Sequence, residues 1–558
     1  MPLQKYHPGR DQRTAPAAGA RQRLSLLQTF SFETRANSTP IIGLDSILRV
    51  NHGNHSRESL DSLLERPFGE EAAEEGAAEE DKNGISKQDP TLVTWDGPND
   101  IENPLNWSAS RKWTATILVS CFTFISPFSS TMVTPALKDI GDQYDIPEGF
   151  ARALVLSIFL LGFAQGPFVL APLSELFGRV KVLQWANLIY LVFNTVCPFA
   201  KTKEQLYLFR FLSGIGGSAP QALCNGVLAD CWRKEERGKG QAIYGMLTFI
   251  SPTVAPIMGA YVIANDKIYW GWIFWITSIF DLLVQVAALF FLRETYSPKI
   301  LCDKAKKLRK VTGNPELRTE YDNPDRSYAS IVRRRLVLPF IMLFAHPAIQ
   351  FPSLYRAFLY GIMYLVLSTY EQVWDGIYDF DKGPASLNYL SLGAGFIVGL
   401  QISHPVMDKL YAYYKRRYDT EDGLPEWRIP PMIIGGILAP AGLFLYGWSA
   451  QNQLHWAVPN TGCFLLAVGL IIAFQSAQAY VTDAYDHRYA ASAAAVGAFM
   501  RTMAGFGFPL FAPRMYEVMG LGWGNTFLGL MTILIGIGSP AVLWFYGAKL
   551  RKWSTKGL

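Results

Sequence analysis

Two ionisable residues stand alone in apolar surroundings, and they are the first candidates for chemistry. Arg210 lies inside Leu206–Asp230, LYLFRFLSGIGGSAPQALCNGVLAD, and Asp281 lies inside FWITSIFDLLVQV. A guanidinium in hydrocarbon costs several kcal/mol, so it either faces a protein interior or water-filled cavity or snorkels to the membrane surface. Gly214, Gly216, Gly217, Ser218 and Ala219 follow Arg210. Small residues let neighbouring helices approach closely, and a charge beside such a face points to a polar pathway between helices. Burial disfavours the charged form of an acid, which makes Asp281 a candidate proton carrier. The plainer alternative for Asp281 is a protonated, hydrogen-bonded packing residue.

A second constellation is the turn PLSELFGRVK, with Glu175, Gly178 and Arg179. Glycine permits a tight turn there. Glu175 is placed to pair with Arg179 or to sit at a helix N-terminus, where the dipole favours an anion. An ordinary surface pair of this kind contributes at most about 1 kcal/mol. A third group consists of polar or aromatic residues within otherwise apolar runs: Gln165, Asn194, Gln221, Asn225, Tyr360, Tyr364, Gln475, Gln478 and Arg501. A mostly apolar cavity with a few polar groups suits a lipophilic organic substrate. The seven histidines form no HxxxH or HExxH cluster, and the six cysteines follow no regular spacing. Neither a metal site nor a disulfide framework is expected, no cofactor is implied, and no GxxxxGK[ST] loop is present to bind ATP.

The elements that must hold these residues are membrane spans. The chain has 558 residues, 50% hydrophobic and 17% charged. Soluble chains carry more charge, about 25%. Apolar runs fall near 113–136, 152–173, 182–200, 206–229, 240–264 and 270–292, then near 351–372, 386–407, 430–449, 456–481, 490–513 and 524–547. A bilayer takes roughly 20 residues to cross, so the sequence predicts an all-α membrane protein of about twelve transmembrane helices. Its expected parts are a disordered cytosolic tail over 1–110, a six-helix bundle over 111–292, a cytosolic connector over 293–350, a second bundle over 351–548 and a basic tail over 549–558. Lys and Arg concentrate in the even-numbered loops (Arg179 and Lys181, Arg233 to Lys239, Lys304 to Arg335, Lys409 to Arg417), which places both termini in the cytosol. The basic connector then reads as topogenic and lipid-facing rather than as a nucleic-acid surface. Pro252, Pro256 and Pro509 lie within spans and are expected to bend them.

The sequence resembles a known family. APLSELFGRVKVL (171–183) is similar to the loop signature of the major facilitator superfamily, with Glu175 where Asp is usual. LFRFLSGIGGSA (208–219) is similar to its fourth-span motif, with Arg210 on the motif's arginine. WDGPNDIENPLNW, RETYSPK (293–299), PEWRIP (425–430), GLFLYGW (442–448) and the Tyr480–Ala493 region resemble the fungal twelve-span drug:proton antiporters. The resemblance implies the major facilitator fold in two six-helix pseudo-repeats. It implies a gating latch at Glu175, Gly178 and Arg179, and proton coupling through Arg210, for which Asp281 is the candidate partner. It further implies a monomer, in the plasma membrane, that moves small organic molecules against protons, with no enzymatic activity. The span-5 signature GPxxGPxxGG departs here to SPTVAPIMGA, losing three glycines while keeping Pro252 and Pro256. That departure keeps open an importer or facilitator on the same scaffold, and the long acidic N-terminal stretch keeps open a non-transporting sensor.

Overall fold

The computed structural model describes residues 91–233, 236–265, 267–321, 337, 340–418, 423–485 and 487–555. The tail to residue 90 and the Arg333–Arg335 triplet of the connector lie outside the described residues. The first half comprises α1 (Ala109–Thr131), a short α2 (Leu137–Gln143), α3 (Phe150–Phe177), α4 (Arg179–Val196), α5 (Lys203–Gly217), α6 (Ala219–Cys231), α7 (Arg237–Ile263) and α8 (Trp272–Phe291). The connector contributes α9 (Ser297–Thr312). The second half comprises α10 (Pro347–Trp374), a short α11 (Lys382–Leu387), α12 (Tyr389–Tyr418), α13 (Pro430–Gln451), α14 (Ala457–Ala484) and α15 (His487–Thr555).

Among the described residues, nine helical stretches are long and apolar enough to cross a bilayer. The last of them, within α15, serves for two crossings because the helix breaks at Gly520, whose φ of 71° lies in the left-handed region open to glycine. The arm before the break approaches Tyr360, Gly361 and Arg356 of α10, and the arm after it approaches Gly436 and Gly447 of α13. Two further crossings fall outside the nine: the α5–α6 pair, split at Ser218, and α10. The break leaves α5 with 15 residues and α6 with 13, each too short to cross alone, while α10 carries Arg356 within its apolar run. α7 runs as one helix through Pro252 and Pro256, and α15 through Pro509.

The packing repeats between the halves. α1 packs on α7 as α10 packs on α15, α3 on α5 as α12 on α14, and α4 on α8 as α13 on the second arm of α15. The halves meet along two reciprocal seams, α3 with α15 and α7 with α12. Small residues set the spacing inside each half. A Cβ on Gly162 of α3 would stand 2.1 Å from the Phe211 carbonyl oxygen, and one on Gly214 of α5 2.1 Å from that of Phe159. In the second half, a Cβ on Gly395 of α12 would stand 2.6 Å from the Phe464 oxygen of α14. Residues 91–108 run along the connector: Val93 N–H donates to the Arg318 carbonyl at 2.7 Å, and Lys304 pairs with Asp96 at 2.7 Å.

Candidate functional site

Arg210 is fully buried. Its stem leaves α5 one turn below the glycine face, so the guanidinium enters the gap between α1, α3 and α8. There Nε donates to the Val155 carbonyl at 3.3 Å and Nη1 to the Ser129 carbonyl at 3.4 Å. The rings of Phe159 and Phe274 lie 4.8 and 5.5 Å from its central carbon. Nη2 has no hydrogen-bond partner among the described residues. Arg210 is therefore an interior charge and does not snorkel.

Ser129 continues the polar path. Its hydroxyl donates to Asn194 Oδ1 at 3.2 Å, and Asn194 Nδ2 in turn donates to Thr277 and Ser278 hydroxyls at 2.9 Å each and to the Phe274 carbonyl at 3.0 Å. Asp281 lies one turn further along α8, also fully buried. Asn187 of α4 donates its amide to both carboxylate oxygens, at 3.0 and 3.1 Å, and to Gln285 at 3.1 Å. Arg210 and Asp281 make no ion pair with each other. The buried Tyr190 ring stands where it feels the fields of both. The structure thus places the charges in two neighbouring buried polar clusters, Arg210 with Ser129 and Asn194 across α5, α1, α4 and α8, and Asp281 with Asn187 and Gln285 across α4 and α8.

A different centre forms where the halves meet. The hydroxyls of Ser130 (α1) and Tyr364 (α10) lie 3.0 Å apart across the seam. Tyr360 packs on Tyr364 and on Phe474 of α14, and Phe249 of α7 meets Phe474 from the first half. Arg501, half-buried on α15, stacks over Tyr360 at 5.4 Å and over Phe474 at 5.7 Å. Arg356, buried on α10, stacks on the same Phe474 ring at 4.3 Å. A buried unpaired cation costs several kcal/mol, and one ring face returns about 1–2 kcal/mol of it. Gln475 and Gln478 adjoin Phe474 on α14, half-buried, with Gln478 donating to Thr482. Gln221 is half-buried on α6, its amide nitrogen without a partner among the described residues, while Gln165 and Asn225 are exposed.

The PLSELFGRVK turn sits where α3 becomes α4. Gly178 adopts φ 101°, ψ 148°, a conformation essentially reserved for glycine. Arg179 contacts Asp230, at the end of α6, through Nε at 2.7 Å and Nη2 at 3.3 Å. Glu294, just past α8, accepts from the backbone N–H groups of Arg179 at 2.9 Å and Val180 at 3.3 Å, capping a helix whose own cap residue has no side chain. Glu175 lies half-buried one turn earlier on α3. The second half repeats the arrangement. Arg428, at the entry to α13, pairs with Asp408 at 3.1 Å and Asp483 at 2.9 Å, and Glu426 pairs with Arg551 near the end of α15.

Residues 119–509 match the sequence model of the Major Facilitator Superfamily. The chain belongs to the major facilitator superfamily. An uncharacterized transporter of Schizosaccharomyces pombe is 40% identical to it over 84% of this chain and 95% of that protein. The efflux pump vrtL of Penicillium aethiopicum is 40% identical over 84% and 92%, and the efflux pump radE of Floropilus chiversii 35% identical over 83% and 86%. Among solved structures, the proton:xylose symporter XylE bound to 6-bromo-6-deoxy-D-glucose matches at a TM-score of 0.58, covering 78% of this chain and 96% of that one. At 14% identity that likeness concerns the fold. This facilitator is a transporter rather than an enzyme. Sequence reasoning missed three of its structural partners. Arg356 carried the same signal as Arg210, a lone charge in FPSLYRAFLYGIMYLVL, but its place near the start of a span made it look like a flank. Asp230 and Glu294 were unremarkable alone, because nothing in the sequence brings both to one turn.

Proposed function

We propose that this transporter exports small organic molecules in exchange for protons by alternating access, the two six-helix halves rocking about the seams. The carrying observation is Arg210, a fully buried charge held by two carbonyls and two rings with one nitrogen left free. A permanent charge kept at such cost suits a coupling residue whose hydrogen bonds change with conformation. Asp281 takes and releases the proton in the neighbouring cluster, one turn along α8 from Thr277 and Ser278, and the buried Tyr190 ring lies within the fields of both charges. Rocking must exchange contacts at three levels: Lys382 with Asp139 at 3.8 Å, Ser130 with Tyr364, and Phe168 of α3 packed at a tilt against Phe499 of α15. The Arg179–Asp230–Glu294 and Arg428–Asp408–Asp483 clusters, each within one half, keep the turns rigid while the halves move. The efflux-pump names of the relatives support the outward direction. The protein works as a monomer with both termini in the cytosol, in the plasma membrane. A protonophore is expected to abolish efflux from cells expressing it, and Asp281→Asn to uncouple it. Efflux indifferent to the protonophore would overturn proton coupling, and proton-driven accumulation inside cells would make the protein an importer.

A further inference from the structure

Two guanidiniums face one ring at the seam between the halves. Arg356 and Arg501 stack on the Phe474 ring at 4.3 and 5.7 Å, so their central carbons are no further apart than the sum of those distances. The charged group that faces Arg356 is Arg501, and neither side chain has a carboxylate partner or a hydrogen bond among the described residues. Each leaves a buried Nε without a partner, and Arg356 is only 3% exposed. The groups around them are phenols and apolar rings: Tyr360 and Tyr364 from α10, Tyr244 from α7 within reach of the Arg501 field, and Phe249. This surrounding is neutral, partly contributed by the other half, and able to donate hydrogen bonds. Two like charges in such a place repel each other and repel any cationic cargo. They match a planar anionic group, which arginine recognises through paired N–H donors.

We propose that Arg356 and Arg501 bind the acidic group of an organic anion, a ring-bearing molecule carrying a carboxylate or an acidic phenol, and so select cargo by charge. This rests on the transport reading above. Phe474, Phe249 and Tyr360 hold the ring system, and the phenols reach its oxygens. Polyamines and other organic cations are excluded by the same pair.

The test uses full-length protein in proteoliposomes with an imposed proton gradient. Fluorescein and rhodamine 6G share a xanthene core and differ in charge, and progesterone serves as a neutral probe. Wild type is expected to move fluorescein and not rhodamine 6G. Arg356→Gln and Arg501→Gln are each expected to raise the fluorescein KM roughly 10-fold or more, the loss typical of a charge-assisted hydrogen bond, with Arg356→Lys intermediate. Monodispersity on size exclusion checks folding, and Arg501→Gln, on the less buried partner, carries the test if Arg356→Gln does not assemble. Transport of rhodamine 6G or progesterone without fluorescein would overturn the proposal and leave the transporter reading intact. Movement of none of the three would overturn both. An unchanged fluorescein KM in folded variants would reduce the arginines to internal packing.

Discussion

Replacing Arg210 with methionine separates a coupling charge from a structural one. The substitution keeps the length and apolar stem of the side chain and removes the charge. It loses two long hydrogen bonds, to Val155 at 3.3 Å and Ser129 at 3.4 Å, which contribute about 1 kcal/mol each. It also loses ring contacts at 4.8 and 5.5 Å, about 1 kcal/mol each. Against this, methionine removes the cost of holding a guanidinium away from water, also several kcal/mol. The two sides nearly cancel. Arg210→Met should therefore change stability by less than about 2 kcal/mol, a shift of under roughly 5 °C in melting temperature. Proton-driven transport should fall to the level of protein-free vesicles. The assay is a thermal melt of the detergent-purified protein beside transport in proteoliposomes, on one preparation. A melting temperature lowered by more than roughly 10 °C would show that the charge holds the bundle together. Full coupled transport at normal stability would refute the coupling role outright.

The other expectations concern the turn and the seam. Gly178→Ala forces a side chain into a glycine-only conformation, with its Cβ 2.3 Å from Glu294 Oε2. It should cost about 1–3 kcal/mol, read as an earlier thermal transition, and leave the α4 entry less protected in hydrogen exchange. Glu294→Ala removes the cap on Arg179 and Val180 and should cost about 1 kcal/mol, with Glu294→Gln recovering part of it. Tyr364→Phe breaks the cross-seam hydrogen bond to Ser130 and should reduce the population of this conformation about fivefold, measured as spin-label distances between α1 and α10. Unchanged distances would mean that bond does not select the state. Removing the half-buried Lys382–Asp139 pair, at 3.8 Å, should change stability by less than about 0.5 kcal/mol in a double-mutant cycle.

The sequence by itself determined the twelve crossings, their all-helical character and the family, because hydrocarbon admits only backbones that satisfy their own hydrogen bonds and marks each crossing with an apolar run. It also marked Arg210 and Asp281, since a charge inside such a run has few reasons to be there. Only the tertiary structure decided what those charges touch. Arg210 and Asp281 occupy one half but separate polar clusters and do not pair, and Asn194 ties the Arg210 cluster to α8 while Tyr364 reaches across the seam. Arg179 finds Asp230, 51 positions further along the chain. Arg356 and Arg501 come from helices 145 positions apart in sequence and meet only because α10 and α15 pack on the same ring of α14. Apolar periodicity tells each helix to be buried but not which neighbour buries it. That choice is made by the small residues at each crossing and by side chains whose partners lie on other helices.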